Sequence, residues 1–285
     1  MAPELTVAIC VRNAAETIHD TIDSILRQDY DYQQMEMVVV DGSSSDSTLS
    51  IIRQNIEQKM SLQIFSDNGR GLGYARQLAA TNARGKYVAF VDGDVVLKPN
   101  FFRKQLEAMR SNVRIGVGLG RYLYKPGTLV CSSWNLYQNT EDEFIGCAFV
   151  FRANAIASVH GFDEKITGAS EDVDIVYRLR RNGWLVVTIE DAGFYHNYRS
   201  TVRGFWQEHR WFGYGGYWLA HKHGRAFAAW RNSPHAKLLY GLKAASRAYK
   251  VTRLKISFVI PVLLLIADAA WWSGYLSALG CRKPR

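Results

Sequence analysis

Cysteine is scarce in this sequence and scattered. Cys10, Cys131, Cys147 and Cys281 form no C-x-x-C pair. Neither a zinc site nor a disulfide framework is signalled, and a reducing cytoplasm suits such a chain. No signal peptide precedes the first expected strand. There is no internal repeat, no low-complexity linker and no recognised nucleic-acid module. What the chain does have is apolar bulk: 48% of its 285 residues are hydrophobic. That is enough to bury the core of one large domain or two small ones, and it argues against disorder. A net charge of +9 and a pI near 9.4 point to an anionic partner: nucleic acid, an acidic membrane surface or a phosphorylated substrate.

The strongest local signal is Tyr87 to Val91, an apolar run of strand length that ends in Asp92-Gly93-Asp94. A run with no polar alternation reads as a strand covered on both faces. Ligands of open α/β sheets collect outside the carboxyl ends of strands, so both acids are expected where substrate binds. Two carboxylates held close together repel unless a cation lies between them, and oxygen ligands suit Mg²⁺ or Mn²⁺. A solvated turn is the competing reading of so short a pattern.

Around that strand the periodicity gives strands at Leu5 to Val11, Met35 to Val40 and Leu62 to Phe65. Helices follow each, with Asn13 and Glu16 spaced as an N-cap and its partner. Four strands separated by helices predict a parallel, twisted sheet with right-handed crossovers. Further on, Pro99 opens a helix to about Met109, and Val113 to Tyr122 and Glu143 to Phe151 read as strands. Glu171-Asp172-Val173-Asp174 starts a helix with a buried edge at Val173, Val176 and Leu179. Its acids lie in the first turn and its arginines in the last, matching the helix dipole. A strand from Trp184 to Ile189 precedes His196, and Phe205 to Trp218 is dense in aromatics and glycines.

Asp41-Gly42-Ser43-Ser44-Ser45-Asp46-Ser47-Thr48, Gly71-x-Gly73-x-Ala75-Arg76, Asp92-Gly93-Asp94 and Ser170-Glu171-Asp172 occur in that order. Together they resemble the motifs of family 2 glycosyltransferases, inverting enzymes of GT-A fold that transfer a sugar from a nucleotide sugar. The resemblance covers roughly Leu5 to Trp218. The serine loop is one residue longer than the commonest spacing, and Cys10-Val11-Arg12-Asn13 replaces the proline-containing end of the family's first strand. The resemblance implies an α/β, GT-A (Rossmann-like), mostly parallel twisted sheet with flanking helices. It implies nucleotide-sugar contacts from Asn13, Asp41, Gly71, Arg76 and Asp92, and a metal held by Asp92, Asp94 and His196. Asn13 is equally explained as a helix cap, and His196 as a core-edge histidine. Gln207-x-x-Arg210-Trp211 is similar to the Q-x-x-R-W pattern of processive members, where it lies over the diphosphate and acceptor; core packing is the alternative for the tryptophans.

Inverting transfer has two chemical demands. The nucleoside diphosphate leaves only when its developing charge is neutralised, the part a divalent ion plays. The acceptor hydroxyl loses its proton as it attacks, which requires a carboxylate within reach. Asp172 is the candidate base, with Glu171 organising the acceptor or the loop. A polyprenyl-phosphate acceptor needs no base, so the acid pair favours a hydroxyl. A sugar nucleotidyltransferase and a non-catalytic membrane scaffold are the other readings.

The carboxyl-terminal third is expected to meet a membrane. Residues 226–255 form a basic amphipathic segment suited to anionic headgroups. Ile256 to Gly280 is long enough to span, with Trp271, Trp272 and Tyr275 available as an interfacial belt. Asp268 and Pro261 count against a plain spanning helix, Pro261 as a kink. Basic residues on both sides, Arg282, Lys283 and Arg285 included, leave orientation open. With at most one membrane segment the chain builds no secretion channel, so one sugar per encounter is expected. The division expected is residues 1–112 for nucleotide-sugar binding, 113–225 for acceptor binding and catalysis, 226–255 basic and 256–280 apolar. The acceptor expected is a lipid-linked saccharide or glycolipid at the cytoplasmic membrane face, the donor UDP- or, less commonly, GDP-linked.

Overall fold

The computed structural model describes residues 2–139, 141, 145–166, 168–224, 227 and 234–280. The first residues of the strand expected from Glu143, the start of the basic segment and the terminal Arg282, Lys283 and Arg285 lie outside them. The chain forms two compact units.

The first unit, residues 1–122, 143–167 and 171–196, holds one eight-stranded sheet. Its strands are β1 (Leu5–Val11), β2 (Met35–Asp41), β3 (Ser61–Ser66), β4 (Tyr87–Val91), β5 (Val95–Leu97), β6 (Ile115–Tyr122), β7 (Ala148–Arg152) and β8 (Leu185–His196), in the order β3-β2-β1-β4-β7-β6-β8-β5. As expected, β3, β2, β1 and β4 are parallel. Beyond β4 the direction mixes: β7 is antiparallel to β4 and β6, β8 is parallel to β6, and β5 is antiparallel to β8. Every residue of β2 and β4 is buried, as continuous apolar strands between helical layers require. The helices are α1 (Ile18–Leu26), α2 (Thr48–Ile56), α3 (Leu72–Asn82), α4 (Phe101–Ser111), then, after α5 of the second unit, α6 (Ala153–Ser158) and α7 (Glu171–Arg181). On α1 the stripe Ile18, Ile22 and Ile25 is sealed in the core. Phe90, Phe149, Phe151 and Phe162 form an aromatic core under the strand ends, with Phe90 and Phe162 edge to face at 5.1 Å.

Several local expectations change. Asn13 does not cap α1, which begins at Ile18. Its backbone is left-handed (φ 49°) and its side chain accepts from Ser45 N–H at 2.8 Å, so a long-range bond takes the place of the cap. The strand expected to stop near Ile189 runs on through His196. Val173 is only half-buried, and Ile175, Val176 and Leu179 form the inner edge of α7.

The second unit, residues 123–142, 168–170 and 197–285, is helical: α5 (Leu129–Asn139), α8 (Val202–His223), α9 (Pro234–Thr252) and α10 (Ile260–Leu279). The aromatic stretch is thus a helix. Trp134 of α5 packs edge-on against Phe205 and His209 of α8, at 4.9 and 4.8 Å. Pro261 does not kink α10; it stands in its first turn, where no N–H partner is lost.

Away from the strand ends, Glu36 on β2 has a fully buried carboxylate. It accepts from Thr6 Oγ1 at 2.7 Å and from Arg84 N at 2.7 Å and Nε at 2.6 Å. Burial alone would raise its pKa, but the bonds from Thr6 and Arg84 outweigh that and hold it below 4.5. A depressed carboxylate stabilises the fold above its unfolded pKa, and that contribution is lost as pH falls through the folded value. Glu36→Gln is expected to cost about 1–3 kcal/mol in urea unfolding at neutral pH and to flatten the loss of stability below pH 4.5; equal stability of the two proteins would contradict this.

Candidate active site

The carboxyl ends of β1, β2 and β4 bring the motif residues together. Register places Asp41 beside Val11, and Asn13 N–H donates to Ser44 Oγ at 2.9 Å, closing the two loops on each other. Asp41 Oδ2 accepts from Ser44 N–H at 3.0 Å. Its Oδ1 is sealed from solvent with no hydrogen-bond partner, an acceptor suited to an N–H donor. Gly71, at φ 97°, caps α3, and its N–H lies 3.3 Å from Asp67 Oδ2. Asp67 was not singled out by the sequence, because Asp-Asn-Gly reads as a plain turn. Like Asp41 it is a buried strand-end acid, and its N–H donates to Asp41 O at 3.1 Å.

At the end of β4, Asp92 N–H donates to Cys147 O at 2.8 Å. Val95 stands opposite His196 on β8, which brings His196 Nε2 to 3.1 Å from Asp94 Oδ1. Burial works against a charge on His196, yet Asp94 and Cys147 beside it raise its pKa well above the usual value. Burial also pushes the Cys147 thiol up to about 12.

Arg76, on α3, joins these acids to those of α7. Only 2% exposed, it reaches Asp92 Oδ1 at 3.1 Å, Glu171 Oε1 at 2.6 Å and Asp172 Oδ2 at 3.8 Å. Its guanidinium lies 5.2 Å from the Phe149 ring centroid. The Glu171 contact is close but off the hydrogen-bonding line, and Glu171 Oε2 is sealed without a partner. Burial, opposed by Arg76, pushes Glu171 up to about 8, and burial likewise raises Asp172. The two acids differ in access: the side chain of Glu171 is 2% exposed and that of Asp172 16%. Gly146, at φ 116°, allows the loop to pass Asp172, where a Cβ would come within 2.9 Å of Oδ2.

Four carboxylates, Asp92, Asp94, Glu171 and Asp172, therefore face two cationic side chains, Arg76 and His196. Burial works against a charge on Glu171 and Asp172, so Asp92 and Asp94, at the end of β4, are the pair that suits a divalent ion. Among the described residues no three His, Cys, Asp or Glu side chains converge into a ready metal cage. Mg²⁺-type ions commonly take one or two protein carboxylates and complete their shell from substrate phosphates and water, so the donor set fits such an ion. Gln207, Arg210 and Trp211 lie on α8 in the second unit. Gln207 and Arg210 are exposed and Trp211 is 41% exposed, whereas Trp218 is buried.

A mixed α/β sheet with acids at its strand ends is the architecture of GT-A glycosyltransferases. The structure of a mannosyltransferase from Pyrobaculum calidifontis, in complex with GDP-Man and Mn²⁺, matches 98% of this chain and 88% of its own (TM-score 0.67, 17% identity). That of Staphylococcus aureus TarS residues 1–349, in complex with UDP-GlcNAc, matches 96% and 90% (TM-score 0.56, 18% identity). The glycosyl transferase family 2 profile matches residues 6–155, and that of glycosyl transferase family group 2 matches residues 87–279. The chain belongs to glycosyl transferase family 2. It is 30% identical over 162 residues to TuaG of Bacillus subtilis, a glycosyltransferase named for teichuronic acid biosynthesis, covering 52% of this chain and 61% of TuaG. TarS, a poly(ribitol-phosphate) β-N-acetylglucosaminyltransferase, is 32% identical over 93 residues, 32% of this chain and 16% of its own. The chain thus spans less than two thirds of the length of these relatives.

Removing the cation from a buried cluster costs more than removing an exposed charge. Arg76→Met is expected to lose about 3–5 kcal/mol of stability in urea unfolding, with Glu171→Gln in the same chain recovering part of it. An unchanged urea midpoint for Arg76→Met would contradict the ion pairing.

Proposed function

We propose that the protein is a metal-dependent inverting glycosyltransferase that moves one sugar from a UDP- or GDP-linked donor to a hydroxyl of a lipid-linked saccharide or glycolipid. The observation that carries this reading is the asymmetry of the two α7 acids on one arginine. Glu171 is sealed against Arg76, while Asp172, mostly buried, keeps 16% of its side chain open to solvent beside the same guanidinium. Asp172 takes the acceptor proton as the hydroxyl attacks, and Glu171, through Arg76, keeps it in place. Asp41, with its unpartnered oxygen, accepts from an N–H of the base; Asn13 and Gly71 hold the loops around it. Asp92 and Asp94 would hold Mn²⁺ or Mg²⁺, with substrate oxygens and water completing its shell and His196 joining them on giving up its proton; the ion would supply charge neutralisation at the departing diphosphate. Arg76 supports the metal acid and the base from behind; its burial among carboxylates and phenyl rings favours that role over direct phosphate contact. Gln207, Arg210 and Trp211 are assigned to the donor and acceptor side.

Bacterial relatives named for polysaccharide and teichuronic acid biosynthesis support a glycan acceptor. Cys10, Cys131 and Cys147 are thiols rather than disulfides, in keeping with the cytoplasmic side, and Lys255–Leu279 is long and apolar enough to meet a membrane.

The test is nucleoside diphosphate release from a panel of UDP- and GDP-sugars with a lipid extract as acceptor. Release from one donor that depends on the extract supports the reading, and silence across the panel contradicts it. Asp172→Asn is expected to lower kcat by about 10²–10⁴-fold while nucleotide affinity stays unchanged; retained turnover removes Asp172 as the base. Because burial raises Asp172, activity is expected to fall with acid along a limb centred above the ordinary aspartate value of 3.8. A limb at or below that value would contradict its buried setting.

A further inference from the structure

Helices α9 and α10 of the second unit carry no residue assigned above to sugar transfer. From residue 209 to 267 the chain has ten lysines and arginines and no acidic residue. Residues 209–285 hold thirteen basic residues against one acidic, Asp268, a formal +12. Residues 1–208 hold 22 against 25, a formal −3. The whole positive charge of the protein therefore belongs to its carboxyl-terminal part.

The apolar helix of that part is not a lone spanning segment. It packs along α8 so closely that a Cβ at Gly274 would strike the Arg210 backbone, and one at Gly213 the Trp271 backbone. α8 carries Arg203, Glu208, Arg210 and Lys222 along its length, charges that a hydrocarbon core rejects. One side of α10 is thus the core of a helical unit, while Val262 and Leu276 on its other side are 56% and 57% exposed. On α9, Leu238, Leu242 and Tyr249 recur at intervals of four and seven, one helical face. The face continues through the Tyr249–Phe258 ring contact, 5.3 Å between centroids, to Phe258 and, one turn on, Val262. Leu242 is 51% and Phe258 58% exposed. Lys243 and Lys250, also seven apart and exposed, border the stripe.

We infer that this face of α9 and α10 is an in-plane seat on an anionic lipid surface, the apolar stripe entering the headgroup boundary and the flanking lysines meeting phosphate. An apolar stripe with a basic border is the pattern of a helix lying in the interface rather than crossing it. A second copy of the chain would bring two strongly positive faces together, whereas anionic headgroups neutralise them. The inference rests on the membrane reading above and not on the transfer chemistry.

The full-length chain is floated with vesicles of phosphatidylcholine alone and with phosphatidylglycerol added. Flotation is expected with the anionic vesicles only, reversed by alkaline carbonate. Leu242→Glu with Phe258→Glu is expected to abolish it at an unchanged melting temperature. Lys243→Glu with Lys250→Glu is expected to weaken it by about tenfold or more. Carbonate-resistant retention would overturn the inference in favour of a spanning helix, and equal flotation with both vesicles would remove the role of charge. A lipid-free dimer lost in the same variants, or tighter binding to duplex nucleic acid than to vesicles, would also overturn it. Turnover of the sugar nucleotide in detergent, measured on the same variants, reads the transferase assignment separately.

Discussion

One buried guanidinium holds the candidate site together. Arg76 lies among three acids contributed by the end of a strand and the start of a helix, Asp92 on one side and Glu171 with Asp172 on the other. A cation without water to solvate it is stable only where carboxylates replace that water. The acids in turn depend on it, because burial works against their charge. The pairing locks α3, β4 and α7 into one arrangement, so the residues expected to meet the leaving diphosphate and those expected to meet the acceptor are fixed relative to each other. Precise placement of this kind is what turns two encounters into one reaction.

The sheet supplies the rest. Parallel strands end on one side, and β1, β2 and β4 deliver Asn13, Asp41 and Asp92 to a common edge. The antiparallel strands added beyond β4 have a different effect: they return the chain to that edge, so that Cys147 bonds Asp92 and His196 meets Asp94. Mixed strand direction is therefore the means by which residues a hundred positions downstream join a site founded on parallel strands.

What the sequence disclosed and what it hid divide along range. Asp92 and Asp94 were legible because an apolar run with turn residues after it says where a strand stops, and the four parallel strands followed from alternation with helices. Asn13 misled as a cap because Asn-x-x-Glu is a local pattern, while its partner, Ser45, is supplied from 32 residues away. The part of Arg76 was hidden for the same reason, since its partners Glu171 and Asp172 lie 95 and 96 positions on. Helix α5, with Ser132, Ser133 and Asn135 buried inside, lacks a clean apolar stripe, and Ser133 and Asn135 satisfy themselves on carbonyls one turn back. The short β5 exists only because β8 extends far enough to pair with it.

Electrostatically the site gathers four acids around Arg76 and His196, and its expected ligand is itself an anion. A diphosphate approaching such a set is repelled until a divalent ion is placed between them. The most direct test is the affinity for UDP and for GDP, measured by calorimetry with Mn²⁺ and again with EDTA. The account predicts binding with Mn²⁺ and a loss of about tenfold or more without it. Equal affinity in EDTA would mean that the acid cluster does not face the diphosphate, and would contradict the account.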